Sequence, residues 1–178
     1  VTSGTWRKFK TMITTLTLFL SHAQVLEFFL ELFADGKGFA IGSIEGRCGI
    51  QNVNFNKPPK DCCENDFCFK CHRKEQGNDG DAFTVNKISF NKQHNTFATV
   101  GGDGTYIIWN KDTKARYRQS PVAKQSMTAV CFSEDASILV FAVGEDYNKG
   151  HQYAQSRPNN VKLYCRKTEK DDVFKIKK

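Results

Sequence analysis

No serine, cysteine or histidine of this chain stands in a recognisable nucleophile elbow or Cys-His framework. His22, His72, His94 and His151 are scattered, and His94 falls in the polar stretch Gln93-His94-Asn95-Thr96, where a turn residue is expected. Gly101-Gly102-Asp103-Gly104 is rich in glycine but runs into strand-like sequence, so it has no helix N-terminus to offer a phosphate. Cys62, Cys63, Cys68, Cys71 and His72 have the atoms for zinc. Cys68 and Cys71, however, lie three apart in an alternating run and project to opposite faces, and no second ligand pair follows. The expectation is a protein without catalysis, metal or cofactor. A membrane span is not expected either, because Thr14, Thr15, Ser21, His22, Gln24, Glu27 and Glu31 interrupt the longest apolar stretch. Arg7-Lys8-Phe9-Lys10 and the apolar residues after it imitate a secretory signal; with Val1 rather than Met at the head, the expectation is against one.

What is present suits a globular protein. The 178 residues can bury one ordinary domain core, and 39% apolar with 25% charged residues is a globular balance. Lys and Arg exceed Asp and Glu by 7, which permits contact with nucleic acid or an acidic peptide. Much of that excess lies in residues 162–178. The 7 cysteines are odd in number and scattered, and Cys131 and Cys165 sit in strand-like contexts where a reduced thiol acts as a small hydrophobe. That usage points to a reducing compartment, the cytosol or nucleus.

Residues 1–6 alternate like a strand. A helix is predicted over roughly 22–34, from a capping box at Ser21 and Gln24 and from Glu27 and Glu31 four apart on one face, stopped by Asp35-Gly36-Lys37-Gly38. From Phe39 onward the pattern becomes a succession of short strands. The first group is 39–43, 48–54 and 67–72, turned on Glu45-Gly46, with Pro58-Pro59 in a loop. The second is marked by Val85, Ile88 and Phe90, then 97–100, a turn at Gly102-Asp103-Gly104, 106–109 and an outer strand at 116–118. Met127, Val130 and Phe132 repeat the first of these positions 42 residues later, followed by 138–143, a long insertion over 144–160, and 161–165. That offset is a propeller-blade period of about 40–45 residues, and a complete seven-bladed ring needs roughly 300. The fold class predicted is all-β, a partial WD-repeat β-propeller of about three blades. Each four-stranded sheet has an apolar face it cannot bury alone and so stacks on its neighbour, with Trp109 packed between blades. The chain divides into a divergent segment at 1–37, the blades at 38–166 and a basic tail at 167–178.

Arg47 stands at the exit of the Glu45-Gly46 turn, and Lys70, His72 and Arg73 follow on a neighbouring strand. An arginine fixed by a tight turn has little freedom to lose and can give two parallel hydrogen bonds to a carboxylate. Arg47, Lys70, His72 and Arg73 are therefore the candidate site for an acidic peptide. The plainer alternative is a surface arginine in an ordinary ion pair.

Ser43-Ile44-Glu45-Gly46-Arg47 and Phe69-Lys70-Cys71-His72-Arg73 resemble words shared by the mRNA export factors of the nuclear pore and their relative, the mitotic checkpoint propeller. Asp146-Tyr147-Asn148-Lys149-Gly150-His151 resembles a word of the export factors alone. The match runs through 38–166, is weak at 1–10 and fails at 11–35. It implies a non-catalytic binding module in nuclear mRNA export, without a small-molecule substrate or membrane insertion. Such a module sits at the nuclear envelope, on the pore complex, and also in the cytoplasm. Its implied partner is a nucleoporin segment, the GLEBS motif, whose glutamate meets Arg47 with Lys70, His72 and Arg73 in support; RNA or mRNA-protein particles are a further implied partner. Two alternatives stay open: a checkpoint adaptor that holds a kinase GLEBS-type peptide, and direct single-stranded RNA binding through the basic strands and tail.

Overall fold

Strands β2 (Gly38–Ser43) and β3 (Arg47–Asn52) run antiparallel from the Glu45-Gly46 turn in the computed structural model, which describes residues 28–54, 66–74, 80–156 and 161–173. β1 (Phe28–Leu32) pairs with the free edge of β2 and β4 (Phe67–Lys70) with that of β3, giving a four-stranded sheet in sequence order. A short ribbon of β5 (Arg73–Lys74) and β6 (Asp81–Ala82) leads to a second sheet. That sheet is another antiparallel meander, of β7 (Val85–Phe90), β8 (Thr96–Gly101), β9 (Tyr106–Asn110) and β10 (Ala115–Gln119). The third sheet has three described strands, β11 (Met127–Phe132), β12 (Ile138–Val143) and β13 (Lys162–Lys167). Helix α1 (His151–Gln155) lies in the insertion before β13, and the single turn α2 (Lys170–Val173) follows it.

The helix predicted over 22–34 is not formed where the structure describes that stretch, since Phe28–Leu32 is strand β1 and 22–27 lie outside the described residues. The reason is the backbone of β2. Phe39, Ala40 and Ile41 are all buried, so the polar groups on both edges of their strand need partners that water cannot supply. β3 serves one edge, and β1 serves the other in register from Phe28↔Ser43 to Leu32↔Phe39. The strand reading of 1–6 lies outside the described residues, as do Pro58-Pro59, Cys62 and Cys63.

The sheets stack through two apolar layers. Ala40, Cys48 and Ile50 of the first sheet meet Ile88, Phe97 and Trp109 of the second. The other face of the second sheet puts Ala98, Val100 and Ile108 against Val130, Phe132 and Leu139 of the third. Period-two alternation along β8 thus feeds both layers, and every residue of that strand is buried. Burying a Phe97 or Ile108 contributes about 1.5–3 kcal/mol each. β1 and β2 lie against β7, and β7 and β8 against β11, so the leading strands of successive sheets gather on one side. The 42-residue repeat reaches into backbone detail: β7 carries a bulge between Val85 and Lys87, and β11 carries one between Met127 and Ala129. The protein is all-β, with the sheet order of a partial propeller.

Candidate functional site

The turn from Ser43 to Arg47 is closed by the Gly46 amide, which donates to the Ser43 carbonyl at 3.3 Å. Gly46 has φ of +64°, and a Cβ there would overlap the His72 carbonyl oxygen and lie 2.9 Å from that of Phe83, so the position requires glycine. The chain beyond β4 holds the turn from behind. The Cys71 amide donates to the Gly46 carbonyl at 2.9 Å, and Arg73 gives Nε and Nη2 to the Glu45 carbonyl at 3.1 and 2.8 Å.

Arg47 and Lys70 are register partners across β3 and β4. Their neighbours Cys48 and Phe69 point toward the second sheet, so alternation sends Arg47 and Lys70 to the opposite face. The Arg47 side chain is 43% exposed and its Nε stands 3.9 Å from Glu45 Oε2, the outer limit of an ion pair. Lys70 is exposed. Two like charges directly opposite one another on neighbouring strands repel, and an anion placed between them relieves that repulsion.

His72 does not join them. Its side chain is fully buried, with Nδ1 2.9 Å from Asp103 Oδ1 and Nε2 3.0 Å from Thr99 Oγ1. Full burial keeps this side chain from the peptide contact expected of it. β4 ends at Lys70 and the chain bends at His72, so the alternation that would carry Lys70 and His72 to one face is broken between them. Arg73 is half-buried and occupied by the Glu45 carbonyl, which makes it a support of the turn. Thr105 Oγ1 donates to Asp103 Oδ2 at 2.8 Å, and Trp109 Nε1 donates to Thr99 Oγ1 at 3.0 Å while its ring lies 4.6 Å from that of Phe69. Trp109 is thus packed between the first and second sheets, as expected. Burial by itself would raise the Asp103 pKa, but the hydrogen bonds from His72 and Thr105 outweigh it and hold the carboxyl below its ordinary value. Burial pushes the Cys71 thiol up to about 12 and Cys48 well above its usual range, so neither is a thiolate nucleophile at neutral pH. Among the described residues there is no group of three or more His, Cys, Asp or Glu placed to hold a metal, and no helix long and apolar enough to cross a membrane.

The buried contacts of Asp103 and Thr99 with His72 were not legible in the sequence. Gly102-Asp103-Gly104 reads as a hairpin turn, which it is, with Gly104 at φ of +74°. Nothing in that reading sends the Asp103 side chain inward. Beside the turn, a groove of about 870 Å³ runs past Ile44, Lys74, Phe83, Val122, Lys124 and Tyr153. It is floored in part by the insertion, whose Asn148 Nδ2 donates to Thr84 Oγ1 at 2.6 Å and whose Asp146 accepts from Asn86.

Known proteins agree with the resemblance drawn from the motifs. The mRNA export factor GLE2 of Chaetomium thermophilum is 47% identical over 134 residues, 74% of this chain and 36% of that protein. The Poly(A)+ RNA export protein of Schizosaccharomyces pombe is 38% identical over 136 residues, 76% and 37% of the two chains. By sequence, this chain belongs with the mRNA export factors. Protein Rae1 of Drosophila melanogaster, 42% identical over 130 residues, covers 70% of this chain and 36% of its own length. The present chain therefore spans a little over a third of the length of the curated proteins it matches. No family model matches it.

Proposed function

We propose that this chain supplies the docking surface of a non-catalytic propeller in nuclear mRNA export, acting at the nuclear pore and in the cytoplasm. Its ligand is an acidic nucleoporin segment of the GLEBS type. Arg47 takes a glutamate of that segment through paired hydrogen bonds, and Lys70 adds a second positive charge beside it. The observation that carries this reading is the cross-strand pair of a half-exposed Arg47, at the exit of a turn held from behind, and an exposed Lys70 on β4. The names of the relatives supply the export context.

Capture of a GLEBS-type nucleoporin peptide by the folded chain tests the proposal, with a checkpoint-kinase GLEBS-type peptide as competitor. Preference for the nucleoporin peptide is expected, and preference for the kinase peptide would make the chain a checkpoint adaptor instead. Loss of one charge-assisted contact is worth about 1.5–3 kcal/mol, so Arg47→Glu should weaken capture about 10- to 100-fold.

A second reading, single-stranded RNA binding, is favoured by the outer strands. Phe67 of β4 is half-buried with Lys114 Nζ 4.5 Å over its ring, and Arg116 is exposed on β10. This reading predicts affinity for a single-stranded oligonucleotide that falls steeply with salt; a salt-insensitive affinity contradicts it.

A further inference from the structure

His72 sits behind the docking turn, and its environment connects that turn to the interior of the second sheet. A single assignment of protons satisfies every group around it. Trp109 Nε1 donates to Thr99 Oγ1, the Thr99 hydroxyl donates to His72 Nε2, and His72 Nδ1 donates to the Asp103 carboxylate. Thr105 completes the set through its amide and its hydroxyl, both given to Asp103. Gly101 is part of the same fit, since a Cβ there would fall 2.6 Å from His72 Nδ1. The imidazole is therefore fixed in position and in rotation.

The backbone of His72 is fixed in turn to the docking side. Its carbonyl accepts from the Phe83 amide at 2.9 Å and closes against Gly46; the preceding residue, Cys71, donates to the Gly46 carbonyl; the following residue, Arg73, grips Glu45. Three consecutive residues thus hold the turn, and the middle one is bolted to β8 and the β8–β9 turn.

We propose that His72 is a positioning residue for peptide docking: through Asp103 and Thr99 it ties the Glu45-Gly46 turn to the second sheet and so sets the direction in which Arg47 is presented. The inference rests on the proposal that Arg47 meets a carboxylate. A well-aimed guanidinium distinguishes a carboxylate from an amide by geometry as well as charge, because only the carboxylate accepts both parallel bonds. A guanidinium on a loosened turn keeps its charge but loses much of that distinction.

The decisive quantity is a ratio of affinities, measured by calorimetry for one GLEBS-type peptide and for the same peptide with its glutamate changed to glutamine. The wild-type chain should favour the glutamate form by about 10-fold or more. Asp103→Asn and Thr99→Val, each checked for folding by circular dichroism, should bring that ratio to below a third of its wild-type value and speed hydrogen exchange at the Cys71 amide. Thr99→Ser, which keeps the hydroxyl, should restore both. Should Asp103→Asn fail to fold, the Thr99 pair decides the matter alone. Folded variants that lose affinity for the two peptides in equal proportion, with the ratio intact, would reduce His72 to an ordinary core residue and overturn the inference. A wild-type ratio near one removes the docking reading itself, and with it this inference.

Discussion

Arg47 keeps 43% of its side chain exposed, and Glu45 is a loose partner at 3.9 Å, so the guanidinium contributes little to holding the fold together. Arg47→Glu should leave the unfolding free energy within about 0.5 kcal/mol of the parent, as surface changes generally do. Asp103 is the opposite case. Its folded pKa is lowered despite burial, by the hydrogen bonds from His72 and Thr105. A carboxyl held below its unfolded value stabilises the fold above that value, about pH 4, and the contribution is lost as pH falls through the lowered one. Acid unfolding followed by circular dichroism should therefore steepen below about pH 4 in the wild type and less so in Asp103→Asn; equal acid limbs would show that this carboxyl does not matter. The placement of Arg47 at the exit of a tight turn was legible, because a glycine turn followed by an arginine is a local pattern. The sequence made His72 misleading, because Phe69-Lys70-Cys71-His72 alternates like a strand and nothing local marks the bend after Lys70.

Elements were readable in proportion to how locally their shape is fixed. β7 to β9 and β11 to β12 follow alternation and turn residues, and their positions match the sequence reading. β1 does not, because the amphipathic spacing of 25–33 suits a helix as well, and only the unpaired edge of β2 decides for strand. The C-terminal turn α2 was equally hidden. Asp172, 1% exposed, forms an ion pair with Arg118 of β10, whose Nε lies 2.6 Å from Oδ1, and accepts from Arg166 Nη2 of β13 at 2.7 Å, so a single carboxylate joins the second sheet to the third. Arg166 reaches on to the Tyr106 hydroxyl at 2.6 Å. Removing the carboxylate leaves the two guanidiniums, both partly solvated, to Glu169, at 2.7 Å from Arg118 and 3.8 Å from Arg166, so the cost falls below that of a fully buried pair. Asp172→Ala should lower stability by about 2 kcal/mol in urea unfolding, and a loss under about 0.5 kcal/mol would mean the cluster is incidental.

At the scale of the molecule, three sheets share one design, in which strands paired within a sheet expose apolar faces that only a neighbouring sheet covers. The second sheet is covered on both faces. The third leaves Ile138, Val140 and Leu163 exposed, the last at 75%, within a chain that spans a little over a third of its export-factor relatives. The 42-residue period made this architecture visible in the sequence, since one repeated spacing fixes strand, bulge and core positions together. The proposed docking surface depends on the same stacking, because the turn that carries Arg47 belongs to one sheet and the residues that brace it belong to the next. A charge swap tests that surface most directly, by calorimetry of the wild-type chain and Arg47→Glu against a GLEBS-type nucleoporin peptide and its Glu→Lys form. The account predicts tight binding of the native peptide by the wild type, a loss of about 10- to 100-fold in Arg47→Glu, and partial recovery when Arg47→Glu meets the lysine peptide. A folded Arg47→Glu chain that binds the native peptide as tightly as the wild type does would contradict it.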